Sequence, residues 1–555
     1  MPSRPRQRHQ RLLDTHSYVR KKHTMSDTKR RLRDLFVEKR GTTPFNIHYI
    51  IRPWSATITS TLIILAVITL AVAWFTGLGV LAFAESFIRA GAAFWIPMTV
   101  ITVGVTLFVT TEKKAVRGIS MTLAILVLLA GLGNVLFTQS YLSYKLYADD
   151  VKTVEETTNF AERAPWTVAE NYASRDQGDI IGDREGVHYV PAARDAEAVD
   201  GEGTSRYTTL VKGRGVLGLT GYQAIQTLQM PTTGPIPSEA SSYCEIPEGM
   251  NDRLSSFWPW HSLSWSIHAK KPFAHWNSDD AYGYCDGEDP VVVVPLWKYE
   301  GFWLTKRVAD GAAIYTADGV EILSADELVD DGIEGPTYPR SLAQIQRKAI
   351  NAGGSLGDWL GSRYGYDGTE KDDEDANEGN TTEFTLMNDD GVMSYVTPLT
   401  PKGSSQSITA VSVVPAQQGH GAPVVVVNTS TDLGSTSTVT TAIKESSVSG
   451  DNAWTTRWAS GMSVYEILPG ADGHWVASIG QGQAVSYRAD IAPDGSVTVT
   501  NSETGQSSAG KGDDEDGESV TVEGDKPLSE MSDAELLDRI EKATTELQER
   551  EAAAE

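Results

Sequence analysis

Charged side chains are absent from three long runs near the start of the chain, and this absence sets the layout. A bilayer core about 30 Å thick is crossed by a helix of roughly 20 apolar residues, so each run is long enough to span it. Lipid supplies no partners for backbone groups, which favours helices. The charge-free runs are Pro53–Ala84, Ala90–Thr111 and Gly118–Tyr144. We predict three transmembrane helices within residues 55–141, with spans near Thr57–Phe75, Ala92–Thr110 and Met121–Gln139.

Basic residues are scarce relative to acidic ones over most of the chain. The 555 residues carry a net charge of −26, and residues 118–555 carry −38. Residues 1–54, in contrast, hold 14 Lys/Arg against four Asp/Glu, and the connection 111–117 has a net charge of +2. Since cytoplasmic flanks of membrane spans are rich in Lys and Arg, we predict a multi-pass protein of the cell membrane with a cytoplasmic N-terminus and an external C-terminus. The acidic exterior excludes nucleic acid as a partner and leaves the lipid bilayer as the predicted one.

Cysteine is nearly absent. The chain contains only Cys244 and Cys285, and both fall in the part predicted to be outside. A pair of cysteines in an exported protein is typically a disulfide. We therefore predict that Cys244 and Cys285 are joined.

Familiar catalytic motifs are also missing: no HExxH, GxSxG or zinc-type CxxC occurs. This lowers the expectation of an enzyme without excluding one. The string from Gly213 to Gly218 matches GxGxxG, but a dinucleotide site needs a helix to follow, and the next segment stops at Pro231. A glycine-rich turn is the better interpretation.

The predicted organisation follows from these shifts in composition. A basic cytoplasmic segment and the membrane helices precede an extracytoplasmic α+β domain, an acidic linker, a β-rich module, a disordered linker and a C-terminal helix. In order, the seven regions are 1–54, 55–141, 142–370, 371–380, 381–500, 501–527 and 528–555.

Short apolar runs predict the strands. The third predicted membrane helix is expected to continue to about Asn159. The terminal helix carries the capping pair Ser532 and Glu535, and it suits docking on the protein itself or on a partner equally well. The predicted strands are Tyr207–Val211, Val291–Leu296, Ala312–Tyr315, Phe384–Met387, Met393–Val396, Val411–Val414, Val424–Val427, Val464–Ile467, Trp475–Ile479, Val485–Tyr487 and Val497–Thr500.

The segment between the cysteines is rich in histidine and tryptophan. His261, His268 and His275 recur every seven residues, which on one helix would separate neighbours by about 10 Å along the axis, too far to share one metal ion. Three interpretations stay open: a metal or catalytic site, an aromatic core held by the disulfide, or an exposed aromatic binding face. The tryptophans of that face would be Trp258, Trp260, Trp265 and Trp276.

One acidic string has the spacing of a calcium loop. Asp373, Asp375 and Asn377 match its first three ligand positions, but Glu378 stands where the loop glycine belongs. Calcium binding and a solvated acidic linker are the two interpretations, and no other cofactor is expected.

Three strings resemble uncharacterised integral membrane proteins of actinobacteria and their phages. They are RAPWTVA (163–169), SDDAYGYCDGEDPVVVVPL (278–296) and GPTYPRSLAQIQRKA (335–349). The resemblance covers roughly residues 160–350 and implies a three-segment membrane protein with an external domain, but no catalytic residue.

These observations lead to a non-catalytic envelope protein that binds glycans or surface proteins, or has a structural role. The alternative is a membrane-anchored envelope hydrolase, and a signal sensor is less favoured because no cytoplasmic output domain is recognisable. The hydrolase would draw its residues from His261, His268, His275, Asp279 and Asp280.

Overall fold

The computed structural model describes residues 60–508, apart from several gaps. The gaps are 62, 72–78, 90, 112, 135–138, 155–158, 176–179, 181, 192–203, 214–220, 238, 256–261, 368–382, 389, 404–406, 421–423, 447–453, 503 and 505–506. Two compact units are present, Met1–Thr76 and Gly77–Glu555. In the first, residues 60–61 and 63–71 are helical, with exposed apolar side chains. The predicted C-terminal helix 528–555 lies outside the described residues.

Four helices begin the second unit: α1 (Gly79–Arg89), α2 (Ala92–Thr110), α3 (Lys114–Gly133) and α4 (Gln139–Ala148). Among the described residues, only α3 is by itself long and apolar enough to cross a membrane. The pair α1 and α2 is a second candidate if its two helices, bent by 67°, count as one span. The prediction of three transmembrane helices is therefore not supported, and the first predicted span lies partly outside the described residues.

The hairpin of α2 and α3 packs through small residues. A side chain at Gly104 would meet Cβ of Ala124 at 3.1 Å, and one at Gly131 would meet Pro97 at 3.1 Å. Such close approach lets two backbones pack without large side chains between them, as is common in membrane helix pairs. The large apolar side chains of both helices consequently point outwards and are exposed.

From α4 onward, the described residues within 139–508 form an α+β body that contains four β-sheets. Three sheets are four-stranded antiparallel meanders: β2–β5, β6–β9 and β15–β18. The fourth has six strands in the order β1-β14-β13-β12-β10, with β11 also paired to β12. The strands are β1 (Val151–Val154), β2 (Asp183–Tyr189), β3 (Thr204–Lys212), β4 (Tyr222–Pro231), β5 (Ser241–Glu245), β6 (Tyr282–Asp286), β7 (Asp289–Gly301), β8 (Thr305–Thr316), β9 (Gly319–Leu323), β10 (Tyr366–Asp367), β11 (Phe384–Met387), β12 (Met393–Pro401), β13 (Ile408–Pro415), β14 (Val424–Leu433), β15 (Ser463–Pro469), β16 (Trp475–Gln481), β17 (Ala484–Ile491) and β18 (Val497–Asn501).

Short helices connect and cover the sheets. Ser324 and Glu327 form a capping box that starts α8, and Ser355 and Asp358 form another that starts α10, which satisfies the first backbone N–H groups of each helix. Helix α9 buries one stripe of side chains that includes Leu342. The helices are α5 (Trp166–Arg175), α6 (Glu248–Leu254), α7 (Leu263–Lys270), α8 (Ala325–Asp330), α9 (Arg340–Ala349), α10 (Leu356–Leu360), α11 (Thr436–Glu445) and α12 (Trp454–Ala459).

Two apolar cores lie between pairs of sheets. Ile225 on β4 and Val292 on β7 belong to the core shared by sheets β2–β5 and β6–β9. Val411 on β13 and Trp475 on β16 belong to the core shared by the six-stranded sheet and β15–β18. Side chains alternate between the two faces of a strand, so the inward face of each sheet is apolar.

The predicted strands are confirmed, since each lies within a strand of the structure. The prediction that the third membrane helix continues to Asn159 is wrong. Helix α4 ends at Ala148, and Val151–Val154 pairs in parallel with β14 from Val424 to Val427. These four residues are β-branched or polar, and pairing at the sheet edge beside β14 stabilises them more than continuing as an isolated helix would. The sheet of the predicted β-rich module 381–500 therefore includes a strand from the segment that follows α4.

Candidate functional site

The predicted disulfide is present and joins two sheets. Cys244 on β5 and Cys285 on β6 are bonded with an S–S distance of 2.03 Å. Both cysteines pack against the core between sheets β2–β5 and β6–β9. The disulfide therefore closes the ends of the histidine- and tryptophan-rich segment onto the body.

That segment is not one continuous helix. Helix α7 ends at Lys270, and His275 lies on an extended stretch whose N–H and C=O bond to Trp297 at 2.9 and 2.8 Å. Trp265 and Trp276 are half-buried, and Trp276 packs against the core and against the ring of His268, with centroids 5.0 Å apart. The remaining members of the predicted set, Trp258, Trp260 and His261, lie outside the described residues.

His268 is a structural residue. Its side chain is buried, with Nδ1 at 2.9 Å from the carbonyl oxygen of Ser264 and Nε2 at 3.2 Å from that of Ala274. A neutral imidazole has one N–H, so only one of these nitrogens donates to a carbonyl, and the Ser264 hydroxyl, 3.2 Å from Nδ1, is placed to donate to the other. Helix α1 also covers the ring, because a side chain at Gly79 would approach it to 3.2 Å. His268 thereby ties α7 to the following loop beneath α1.

His275 belongs to a cluster between α1 and the β7–β8 hairpin, which we call the junction cluster: Glu85, Arg89, His275, Trp297 and Tyr299. The imidazole of His275 stacks on Trp297 with centroids 4.4 Å apart. Glu85 and Arg89 form the i, i+4 ion pair, 2.9 Å apart, and Arg89 Nη1 also donates to the carbonyl of Tyr299 at 3.3 Å. The cluster fastens the end of α1 to the body.

The Glu85–His275 contact is not an ion pair at neutral pH. Glu85 Oε2 and His275 Nε2 are 3.6 Å apart, and within the described part of the chain neither atom has a hydrogen-bond partner. Burial, together with the smaller effects of His268 and Arg307, lowers the pKa of His275 to about 4. The neutral imidazole therefore faces the carboxylate, and protonation would convert the contact into a charged hydrogen bond.

The two aspartates of the hydrolase alternative have separate surroundings. Asp279 is exposed, whereas Asp280 is buried and accepts hydrogen bonds from the N–H of Ser341, at 3.0 Å, and from its hydroxyl. Burial raises the pKa of Asp280 to about 6, and the Ser341 hydrogen bonds oppose this shift. Asp280 thus caps the first turn of α9, and the described residues of the set do not converge on one point.

A buried charge network lies at the centre of the body, and sequence reasoning did not find it. Arg163 and Glu466 form an ion pair at 3.1 Å with side chains only 2% and 4% exposed. Glu466 also accepts the N–H of Trp166, 300 residues away in sequence. A second pair, Arg347 with Glu383, is equally buried. No local pattern marks such partners, because the pairing joins distant segments.

One cavity borders this network, and a larger one lies elsewhere in the described body. One of about 30 Å³ is enclosed by the charge network and includes His188, whose Nε2 has no hydrogen-bond partner among the described residues. This volume accommodates water but no larger ligand. The other, of about 240 Å³, is open and lies between α8 and the β11–β12 hairpin, with Glu334, Asp390 and His420 in its lining.

The predicted calcium residues Asp373, Asp375 and Asn377 lie outside the described residues. Within the described part, no group of three or more His, Cys, Asp or Glu side chains is arranged to hold a metal ion. Comparisons of this chain with protein-family models, curated proteins and solved structures give no match. The resemblance to membrane proteins of actinobacteria stays a prediction from the sequence.

Proposed function

We propose that this protein is a membrane-anchored envelope protein that holds an acidic α+β body outside the cell and acts there by binding or as a structural element. The observation that carries the proposal is the outward-facing apolar surface of the α2–α3 hairpin, including Leu107, Phe108, Leu126 and Leu129. Such a continuous surface is rare on proteins that face only water.

The polar groups of α2 support a lipid environment. Its threonine hydroxyls donate to the carbonyl four residues earlier: Thr99 to Trp95, Thr102 to Met98, Thr106 to Thr102 and Thr110 to Thr106, at 2.7–2.8 Å. These hydroxyls need no water, as a helix surrounded by lipid requires.

The orientation rests on contacts at the two ends of the hairpin. The α1–α2 corner contacts the body through Arg89, and α4 enters the body after α3. The opposite end carries Lys113, Lys114 and Arg117. The bias of basic residues toward the cytoplasm then favours an external body. A cytoplasmic N-terminus also requires an odd number of crossings, so we include the first predicted span, Thr57–Phe75, as a third.

The role outside the membrane is binding or structural. The disulfide suits an oxidising exterior. Trp265 and Trp276 keep part of their surface accessible, and with Trp258 and Trp260 they are the candidate contacts for envelope glycans or surface proteins. We do not propose a hydrolase, because His268, His275 and the two aspartates Asp279 and Asp280 have separate surroundings and do not converge on one point.

Accessibility of introduced cysteines tests the topology, because the wild-type cysteines are joined. We would label intact cells that express Asp279→Cys or Lys113→Cys with a membrane-impermeant maleimide; both positions are exposed. Asp279→Cys should be labelled on intact cells, and Lys113→Cys only after lysis. The wild type is the unlabelled control. The reverse pattern, or labelling of both variants on intact cells, would refute the proposal.

Binding is tested with the full-length protein in nanodiscs and purified envelope glycans. The double variant Trp265→Ala, Trp276→Ala should weaken binding. Phe273 is an exposed aromatic residue of the same segment, and Phe273→Ala should not weaken it. Equal binding by all variants would remove the tryptophan face from the proposal.

A further inference from the structure

The tip of the β7–β8 hairpin exposes two aromatic side chains. Phe302 is 56% exposed and Trp303 37%, at a turn that Gly301 allows with a φ of +85°. Aromatic rings carry a large apolar area and are usually buried, but neither of these two rings is buried in the body. The tip therefore leaves aromatic surface uncovered by the described body.

Arg89 holds this tip beside the start of the membrane hairpin. Its Nη1 donates to the carbonyl of Gly301 at 3.1 Å, and Arg89 is the last residue of α1 before the corner into α2. Exposed apolar residues continue across that corner, namely Ile88, Phe94 and Trp95. The aromatic tip thus extends the apolar surface at which α2 begins.

A second exposed apolar element is tied to α4, the helix that follows α3. In α10, Leu356 is 40% exposed and Leu360 53%. The segment just before α10 is held by α4, because Tyr141 Oη donates to the carbonyl of Gly354 at 2.7 Å and Lys145 Nζ to that of Gly353 at 3.0 Å.

The tip is thus tied to the corner before α2, and α10 is tied to the helix that follows α3. Both points are on the side of the hairpin where the body lies. Helix α4 is the next helix of the chain and begins six residues after α3 ends, so its first residue lies within about 20 Å of the end of α3. Aromatic and leucine side chains near the ends of membrane helices are favoured at the boundary between headgroups and acyl chains.

We infer that the body rests on the outer leaflet through two lipid contacts, the Phe302–Trp303 tip and the Leu356–Leu360 helix. This rests on the membrane anchoring proposed above. The occupant is the bilayer that surrounds α2 and α3, because the tip adjoins the exposed apolar corner before α2 and α10 is tied to the helix that follows α3. The contacts limit tilting of the acidic body, which anionic lipid would otherwise repel.

Spin labels at single introduced cysteines test the inference in full-length protein reconstituted into phosphatidylcholine–phosphatidylglycerol nanodiscs. The test positions are Trp303→Cys and Leu360→Cys. Leu126→Cys, on the exposed face of α3, reports anchoring, and Val329→Cys, an exposed apolar position on α8 beside Gly419, is the matched control. For each label, the accessibility to oxygen and to a water-soluble nickel chelate is measured by electron paramagnetic resonance.

Labels at 303 and 360 should show a ratio of oxygen to nickel accessibility several-fold above that at 329. If either matches 329 while 126 is shielded from nickel, anchoring stands and the two-point contact is refuted. Labels at 303 and 360 that are immobilised and shielded from both reagents would indicate a protein partner instead and would also refute it. If 126 itself matches 329, the anchoring proposal fails, and this inference fails with it.

Discussion

The α2–α3 hairpin and the α+β body solve the burial of polar groups in opposite ways. The hairpin keeps small residues such as Gly104 inside and large apolar ones outside, and its threonine hydroxyls bond to their own helix. The body keeps apolar side chains inside and also encloses the paired charges Arg163 and Glu466. The difference teaches that a buried charge is tolerated where a second chain segment supplies its partner.

The largest effect is expected from breaking a buried charge pair in the body. Glu466→Ala leaves Arg163 charged and enclosed, which should lower the free energy of unfolding by about 3–5 kcal/mol. Arg363→Ala breaks the exposed pair with Asp358, 3.8 Å apart, and should cost about 0–1 kcal/mol. Denaturant unfolding in detergent compares them. Similar small losses would mean that water reaches Glu466.

Acidification should change the stability contributions of two buried groups of the body, His188 and Asp280, in opposite directions. The pKa of His188 is lowered to about 4, mainly by burial, so stability falls as the pH drops from about 6.5 to 4 while the unfolded chain takes up the proton. The pKa of Asp280 is raised to about 6, so its contribution rises as the pH falls from about 6 to 3.8. Each amounts to about 3 kcal/mol.

In the wild type these contributions oppose one another. On acidification, the unfolding free energy of His188→Gln should therefore rise relative to that of the wild type. That of Asp280→Asn should fall relative to the wild type. The measurement is unfolding free energy in detergent between pH 7 and pH 4. A slope unchanged by His188→Gln would show that the pKa of His188 is the same in the folded and the unfolded chain.

Overpacking should separate the two helices of the α2–α3 hairpin. Gly104→Leu places a side chain where even a Cβ lies 3.1 Å from Ala124, and it should destabilise the hairpin by about 1–3 kcal/mol. Gly118→Leu is the matched control, since nothing lies within 4 Å of a Cβ there. Thermal unfolding followed by helical circular dichroism measures both. Equal effects would contradict close packing at Gly104.

The smallest effect is expected from removing a hydroxyl in the hairpin. Thr102 bonds only within its own helix in the structure described, to Met98, so Thr102→Val should change stability by less than about 1 kcal/mol. Thr397, which is buried and accepts from Arg347 at 2.9 Å, is the counterpart in the body. Thr397→Val should cost about 1.5–3 kcal/mol, because a charged donor loses its partner. Equal losses would remove the contrast between the two regions.

Strand positions and the disulfide were predictable because both depend on local chemistry. Runs such as Val291–Leu296 favour extended backbone by their β-branched side chains, and two cysteines allow one pairing. The junction cluster is only partly visible in the sequence: the i, i+4 spacing of Glu85 and Arg89 favours an ion pair on a helix, but nothing in the sequence relates this pair to His275. Nearly two hundred residues separate them, and no spacing rule relates them.

The sequence by itself determined the charge-free runs, the basic and acidic halves, the strands and the cysteine pair, since each follows from side chains near one another in the chain. Only the tertiary structure decided that His268 is enclosed by carbonyls, that β1 joins β14, and that Arg163 meets Glu466. These outcomes depend on which distant segments pack together, because the free energy of a buried polar group is set by the partner that replaces water.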